Sequence, residues 1–278
     1  MSNTPSGKSL GRALITGASS GIGARYAHHL AHRGHDLTLV ARNVERLETL
    51  AARLRAETGR DVRVLPADLS RADGVQRVAQ TLREDDSLTL LVNNAGIGSV
   101  APLLQSDPGQ MQAMIDLNIS ALTHLAMAAA PAFVARGGGT LINIASIVGL
   151  HPELLNGVYG ASKAYVLAYS QSLRHELADQ GLRVQAVLPG ATGTEFWDLA
   201  GKPASELPSA MVMSADDMVR SALAGLDQGE FVTIPSLTDP ALLERLEAAR
   251  QALGPELSRN IPAARYGLQA PGGTGTNG

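Results

Sequence analysis

Two side chains raise the first chemical question. Tyr159 and Lys163 stand four residues apart in the stretch Tyr-Gly-Ala-Ser-Lys. On a helix that spacing stacks a phenol and an ammonium on one face, a turn apart. A free tyrosine ionises near ~10, too high to exchange protons well at neutral pH. An ammonium ~5 Å away, at an effective dielectric of ~20, favours the phenolate by about 3 kcal/mol, or ~2 pKa units. The spacing therefore predicts a phenol able to give and take protons near neutrality. The same residues also fit an ordinary solvated helix, so the chemistry depends on what the rest of the chain places around them.

The surrounding pattern is a repeated strand and helix. Residues 10–15 end in a short apolar run, followed by Thr16-Gly17-Ala18-Ser19-Ser20-Gly21-Ile22-Gly23 and a helical pattern to Arg33. Glycines let the chain turn tightly and let a phosphate approach the N–H groups and dipole of a helix start. Further strands are predicted at 36–41, 62–67, 88–93, 140–145, 183–188 and 231–234. Asn43 caps a helix to about Thr58, Ser70 with Asp73 resembles a capping box, and Ser214 with Asp217 opens another helix. A long helix spans roughly 108–136, broken near Asp116, and the helix of Tyr159 runs to about Gln180. Gly34, Gly59 and Gly181 each close a helix before a strand. Apolar strands alternating with amphipathic helices predict an α/β fold: one doubly wound Rossmann-type domain, its seven-stranded parallel sheet covered on both faces. The expected limits are a flexible 1–9, a catalytic domain over 10–254, and a tail over 255–278 that is largely disordered after 266.

In such a sheet, ligands bind beyond the carboxyl ends of the strands. The predicted ends carry the glycine turn, Ala41-Arg42-Asn43, Asp68-Leu69, Asn93-Asn94-Ala95-Gly96, Ala145-Ser146 and Pro189-Gly190. Turn and polar residues thus collect on one rim.

Composition narrows the alternatives. The chain has 278 residues, 45% hydrophobic, a net charge of −3 and no cysteine. Disulfides, thiolate catalysis and cysteine-ligated metals are excluded, and without a basic run no nucleic-acid partner is expected. The apolar stretch Ile119 to Val134 is interrupted by Ser120, Thr123 and His124 and reads as a buried helix rather than a membrane span. A soluble, cytoplasmic protein is expected. His28 and His32 share a spacing that metals use, with His29 beside them, but the helix to Arg33 carries no acidic partner. They are read as solvated, and no metal is expected.

The ordered set of motifs resembles the short-chain dehydrogenase/reductase family. The glycine turn, Asn-Asn-Ala-Gly, a serine thirteen residues before the tyrosine, Tyr-x-x-x-Lys and Pro-Gly occur in family order over about residues 10–235. The resemblance implies that Tyr159 protonates a carbonyl oxygen as hydride arrives from a nicotinamide, and acts as base in reverse. It implies that Lys163 lowers the tyrosine pKa and bonds the nicotinamide ribose. Ser146 would donate a hydrogen bond to the same oxygen, and Asn118 would hold a water linking Lys163 to solvent. The cofactor groove would comprise Gly17, Ser19, Ser20, Gly21, Ile22, Gly23, Arg42, Asn43, Asp68, Leu69, Asn94, Ala95, Gly96, Pro189, Gly190, Thr192 and Thr194 besides Tyr159 and Lys163, with Asp68 on the adenine.

Cofactor choice would be read after the second strand. Where an acidic residue would repel a 2′-phosphate, Ala41 is followed by Arg42, whose guanidinium suits a phosphate. NADP(H) is therefore expected in preference to NAD(H). Thr192 departs from the family's usual Val or Ile. Residues 195–213, with Phe196, the only tryptophan Trp197, Leu199, Leu207, Met211 and Met213, are expected to form an apolar lid. Trp197 fits a lid and a core or subunit contact equally well. Leu150, His151, Leu154 and Leu155 should form the opposite wall. Ser146, His151, Leu154, Tyr159, Phe196 and Trp197 are then the expected substrate residues, for an apolar ketone or aldehyde or a 3-oxoacyl thioester. The alternatives are an NAD-linked alcohol or hydroxysteroid dehydrogenase working in oxidation, and an NADP(H)-sensing regulator without turnover. A homodimer or homotetramer is expected, paired through the helices around 120–133 and from Tyr159.

Overall fold

The computed structural model describes residues 10–268. Its contacts divide the chain into two compact units, Met1–Ser236 and Leu237–Gly278. The first alternates β1 (Arg12–Thr16), α1 (Gly21–His32), β2 (Asp36–Ala41), α2 (Val44–Thr58), β3 (Val62–Pro66), α3 (Ala72–Glu84) and β4 (Leu88–Asn93). It continues through α4 (Pro108–Ile115), a π-helical turn Asp116–Ala121, α5 (Leu122–Ala135), β5 (Gly139–Ile144), α6 (Gly157–Leu177) and β6 (Leu182–Val187). Then come β7 (Thr192–Gly193), α7 (Phe196–Ala200), β8 (Met213–Ser214), α8 (Ala215–Gln228) and β9 (Val232–Thr233). The second unit carries α9 (Ala241–Leu253), which exposes Leu242, Leu246 and Leu253. That helix had been expected inside a catalytic domain ending at 254. The expected flexible 1–9, and the expected disorder from 269 on, lie outside the described residues.

The sheet has seven strands in the order β3-β2-β1-β4-β5-β6-β9, all parallel. Strand alternation decides which helix each side chain meets. Ala13 and Ile15 face one layer with Tyr26, Leu30 and Leu47 of α1 and α2 and Met218 and Leu223 of α8. Leu14 faces the other, with Val78 and Leu82 of α3 and Leu125, Ala129 and Phe133 of α5. Each fully buried Leu, Ile or Phe contributes roughly 1.5–3 kcal/mol, so two filled layers hold the sheet against chain entropy. The order reverses between β1 and β4, which opens a crevice at their carboxyl ends.

Local signals were mostly met. Asn43 caps α2 by accepting from Arg46 N–H, and Ser214 caps α8 by accepting from Asp217 N–H. The expected Ser70–Asp73 capping box does not form. Arg71 is the residue preceding α3, and Ser70 instead donates through both its N–H and its hydroxyl to Asp68 Oδ1. The carboxylate two residues upstream is the stronger acceptor and holds the serine back. Pro108–Ala135 is long and apolar enough to cross a membrane, yet half of its apolar window is buried within the fold. This is the buried helix that its interrupting Ser, Thr and His predict. The break expected near Asp116 is the π turn, through which the helix continues. A small parallel ribbon of β7 and β8, not foreseen, ties together the two ends of the 195–213 segment.

Candidate active site

The glycine turn follows β1 directly. Gly17 and Gly21 have φ of 65° and 52°, a region in which side chains are strained. Gly23 serves packing instead, because a Cβ there would strike the Gly17 carbonyl and come within 2.6 Å of Asn94 Nδ2. Asn94 in turn donates to Thr16 O at 2.9 Å and Gly17 O at 3.3 Å, fastening the end of β4 to the turn. The end of β2 presents Arg42 and Asn43, and the end of β3 presents Asp68. Burial pushes Asp68 up, but the Ser70 hydrogen bonds and the Arg42 and Arg71 charges outweigh it and lower its pKa.

Beyond β5, Ser146 donates to Pro189 O at 3.3 Å and shares a hydrogen bond with the Tyr159 phenol. Lys163, a turn further along α6, donates to Ile144 O at 2.9 Å, and its Nζ lies 5.8 Å from the Tyr159 ring centre. Tyr159 and Lys163 share one face of α6, as the spacing predicts, and that face is buried. The electrostatics differ from the expectation. Burial pushes the Tyr159 phenol up to about 12, the Ser146 hydrogen bond opposing it, and burial lowers Lys163 to about 8. Lys163 gives up its proton near 8, before a phenol near 12 ionises, so no ammonium charge remains to favour the phenolate and burial decides both shifts.

This burial has a measurable consequence. Lys163 has a folded pKa of about 8 against the usual 10.5, so the unfolded chain binds more protons between those values and stability rises with pH there. Replacing Lys163 by Met removes that term. Urea denaturation at several pH values should show wild type gaining on the variant by on the order of 2 kcal/mol between about pH 8 and 10. A constant difference would count against a buried ammonium.

All of these groups line one cavity of about 1240 Å³. Of the predicted site residues, Gly17, Ser19, Ser20, Gly21, Ile22, Arg42, Asn43, Asp68, Leu69, Asn94, Ala95, Gly96, Ser146, Leu154, Tyr159, Lys163, Pro189, Gly190, Thr192, Thr194, Phe196 and Trp197 are on its wall. Three are not. Gly23 packs behind the turn. Asn118 is buried behind Gly96, where it accepts from Ile97 N–H at 3.0 Å and donates to Ile97 O and Ser162 Oγ at 2.9 and 3.1 Å. Its side chain positions the loop beside Lys163. His151, expected against substrate, is exposed and sits 3.4 Å from Glu153, so Leu154 and Leu155 form that wall without it or Leu150. The short 3₁₀ turn Pro152–Leu154 swings the imidazole outward.

The 195–213 segment lies over the cavity. Phe196 packs 5.7 Å from the Tyr159 ring and against Gly98, where any Cβ would collide with it. Trp197 does both things foreseen for it: it lines the cavity, and it is buried, with Nε1 donating to Thr192 O at 3.0 Å. Two residues escaped the sequence reading. Asn156 caps α6 through Val158 and Tyr159 N–H and donates to Ala101 O at 2.6 Å, fixing the start of the catalytic helix to the loop beyond β4. Its side-chain type directly before Gly157 was the available signal. Arg46 reaches Glu195 at 2.7 Å, a pair 149 residues apart that bridges α2 to the root of the lid. No local pattern announces it.

The donor set fits a phosphorylated dinucleotide: a tight glycine turn before a helix N-terminus, an arginine after β2, and a buried tyrosine and lysine on the wall of the same cavity. Comparison with known proteins agrees. Residues 12–203 match the family described as short chain dehydrogenase. A short-chain dehydrogenase from Sphingobium yanoikuyae, solved in complex with NADPH, is 48% identical with a TM-score of 0.90, covering 92% of this chain and 100% of that one. The bulky-bulky ketone specific alcohol dehydrogenase from Comamonas testosteroni is 43% identical with a TM-score of 0.86, covering 93% and 99%. The 17-beta-hydroxysteroid dehydrogenase type 3 of Homo sapiens is 30% identical over 89% of this chain and 77% of its own length. With motifs, topology, site and relatives in accord, the chain belongs to the short-chain dehydrogenase family and is an oxidoreductase of CH–OH and C=O groups.

Proposed function

We propose that the protein reduces bulky apolar ketones with NADPH. The observation that carries the substrate class is the cavity mouth. Leu103, Leu154, Leu199 and Met211 line it, yet each is more than half exposed. Apolar side chains left in water around a pocket favour a ligand that covers them. A sugar would find few partners on that rim. The Comamonas relative acts on bulky ketones, and the Sphingobium relative binds NADPH, which supports both halves of the proposal.

NADP(H) would lie between Arg42 and Tyr159, with Arg42 at the 2′-phosphate, Asp68 toward the adenine, and the turn at Gly17–Gly21 against the pyrophosphate. When bound, it supplies the hydride. The protein's own residues supply the proton and the orientation. Tyr159, pushed up by burial, holds its proton throughout the neutral range and would give it to the carbonyl oxygen of the substrate. Ser146 directs its hydroxyl at the same carbonyl oxygen and stabilises the charge that develops there. Lys163, near 8, can pass a proton toward the phenol after each turnover. Phe196 and Trp197 exclude water from above. Pairing of two chains through α5 and α6 belongs to the same proposal, and Met127, exposed on α5, supports it.

The test is a panel of diaryl and other bulky ketones, small ketones, keto sugars and 3-oxoacyl thioesters, each with NADPH and with NADH. Bulky ketones with NADPH should be turned over fastest. Tight NADPH binding without oxidation across the panel would make the protein a dinucleotide sensor instead, and a preference for NAD in alcohol oxidation would reverse the proposed direction.

A further inference from the structure

The imidazoles of His28 and His32 do find an acidic partner, one supplied by the fold rather than by neighbouring sequence. Glu57, near the end of α2, packs beside the second half of α1. Its Oε2 lies 3.8 Å from His28 Nδ1 and 4.0 Å from His32 Nε2. One ligand atom from each of the three residues lies within 4.8 Å of the others. We propose that His28, His32 and Glu57 form a site for a divalent transition metal of the zinc class, joining α1 to α2.

Two observations support it. First, the donor set of two imidazoles and a carboxylate is one that zinc takes, and it leaves a fourth position for water. Zinc bonds of about 2.0–2.1 Å arranged tetrahedrally place donors about 3.4 Å apart. The observed spacings therefore need only a rotamer adjustment of exposed side chains. Second, His32 is already oriented. Its Nδ1 sits 2.9 Å from the His28 carbonyl oxygen, so the proton belongs on Nδ1 and the lone pair on Nε2, the atom facing Glu57. A metal-binding histidine is ordinarily held in this way by a second hydrogen bond.

The neighbours define the site's limits. His29 is not a ligand, because its Nε2 is held by Asp216 at 2.9 Å. Arg53 competes for Glu57, with Nε 3.7 Å from Oε1, but that pair is exposed and therefore weak. The site is separate from the catalytic cavity, none of whose lining residues it includes. Its expected action is on stability. A metal bound only by the folded state shifts unfolding by mass action, and this one would clamp the ends of the two helices whose N-termini open on the cofactor groove.

Calorimetric titration of the full chain with ZnCl2 should give one site per chain. Saturating zinc should raise the melting temperature by about 3 °C or more. His32→Gln should abolish both signals, and Glu57→Gln should weaken binding by about tenfold or more. His32 and Glu57 are exposed and His28 is half-buried, so the variants should fold, and their NADPH affinity should match wild type. Absence of a zinc signal in wild type, or a signal as large as wild type's in His28→Gln or His32→Gln, would overturn the site.

Discussion

Tyr159→Phe is expected to lower kcat about 10³-fold or more and to leave the Kd for NADPH unchanged. The phenol hydroxyl shares a hydrogen bond with Ser146 on the cavity wall, and positioned acid–base groups contribute typically 10²–10⁴-fold. The ring itself packs with Met111, Met114 and Val148 and faces Phe196, contacts that phenylalanine keeps. Ser146 still polarises the oxygen, which leaves a residual rate. Measurement of kcat on a bulky ketone together with NADPH binding separates the possibilities. Loss of NADPH binding along with activity would assign Tyr159 to the scaffold. A change of less than about tenfold would place the proton elsewhere.

The second large effect is expected at Arg42. Arg42→Asp should lower the ratio of kcat/KM for NADPH over NADH about 10²-fold or more. A hydrogen bond to a charged partner is worth about 1.5–3 kcal/mol, and every 1.4 kcal/mol is tenfold. A carboxylate in its place adds repulsion of the 2′-phosphate and offers an acceptor to the ribose hydroxyls of NADH. Nothing in the turn at Ser19 and Ser20 substitutes for the lost cation. Arg46, in the first turn of α2, also lines the cavity, and it is engaged by Glu195. An unchanged ratio in Arg42→Asp, with a fall in Arg46→Gln, would move phosphate recognition one turn along α2.

What could be read in the chain follows the range of the forces involved. Strand and helix identity rests on periodicity and caps within a few residues. Asp36–Ala41 and Leu88–Asn93 coincide with the expected strands, and the caps at Asn43 and Ser214 form. The rim residues converge because parallel strands must all end on one side. The hidden part is what depends on burial and on partners far along the chain. A spacing of four places Lys163 beside Tyr159 but says nothing of the dielectric around them, and that sets the phenol near 12 rather than below its usual value. Glu195 and Arg46, and Glu57 with His28, meet only because the helices of the fold are laid side by side. Ser70 was misassigned because two acceptors compete for one serine within a few residues, and sequence alone does not rank them.

The π turn at Asp116–Ala121 carries a consequence for how this chain tolerates change. One wide turn accommodates an extra residue between α4 and α5. Deleting one residue there would close the wide turn to a regular spiral and leave α5 in phase, because the turn holds its extra residue without passing the rotation on. The same deletion deep in α5, past Leu125, has no wide turn to absorb it and would rotate everything downstream by about 100°, swinging Ala129 and Phe133 off the sheet. Loss of one codon should therefore be better tolerated within Asp116–Ala121, Asn118 aside, than between Leu125 and Phe133.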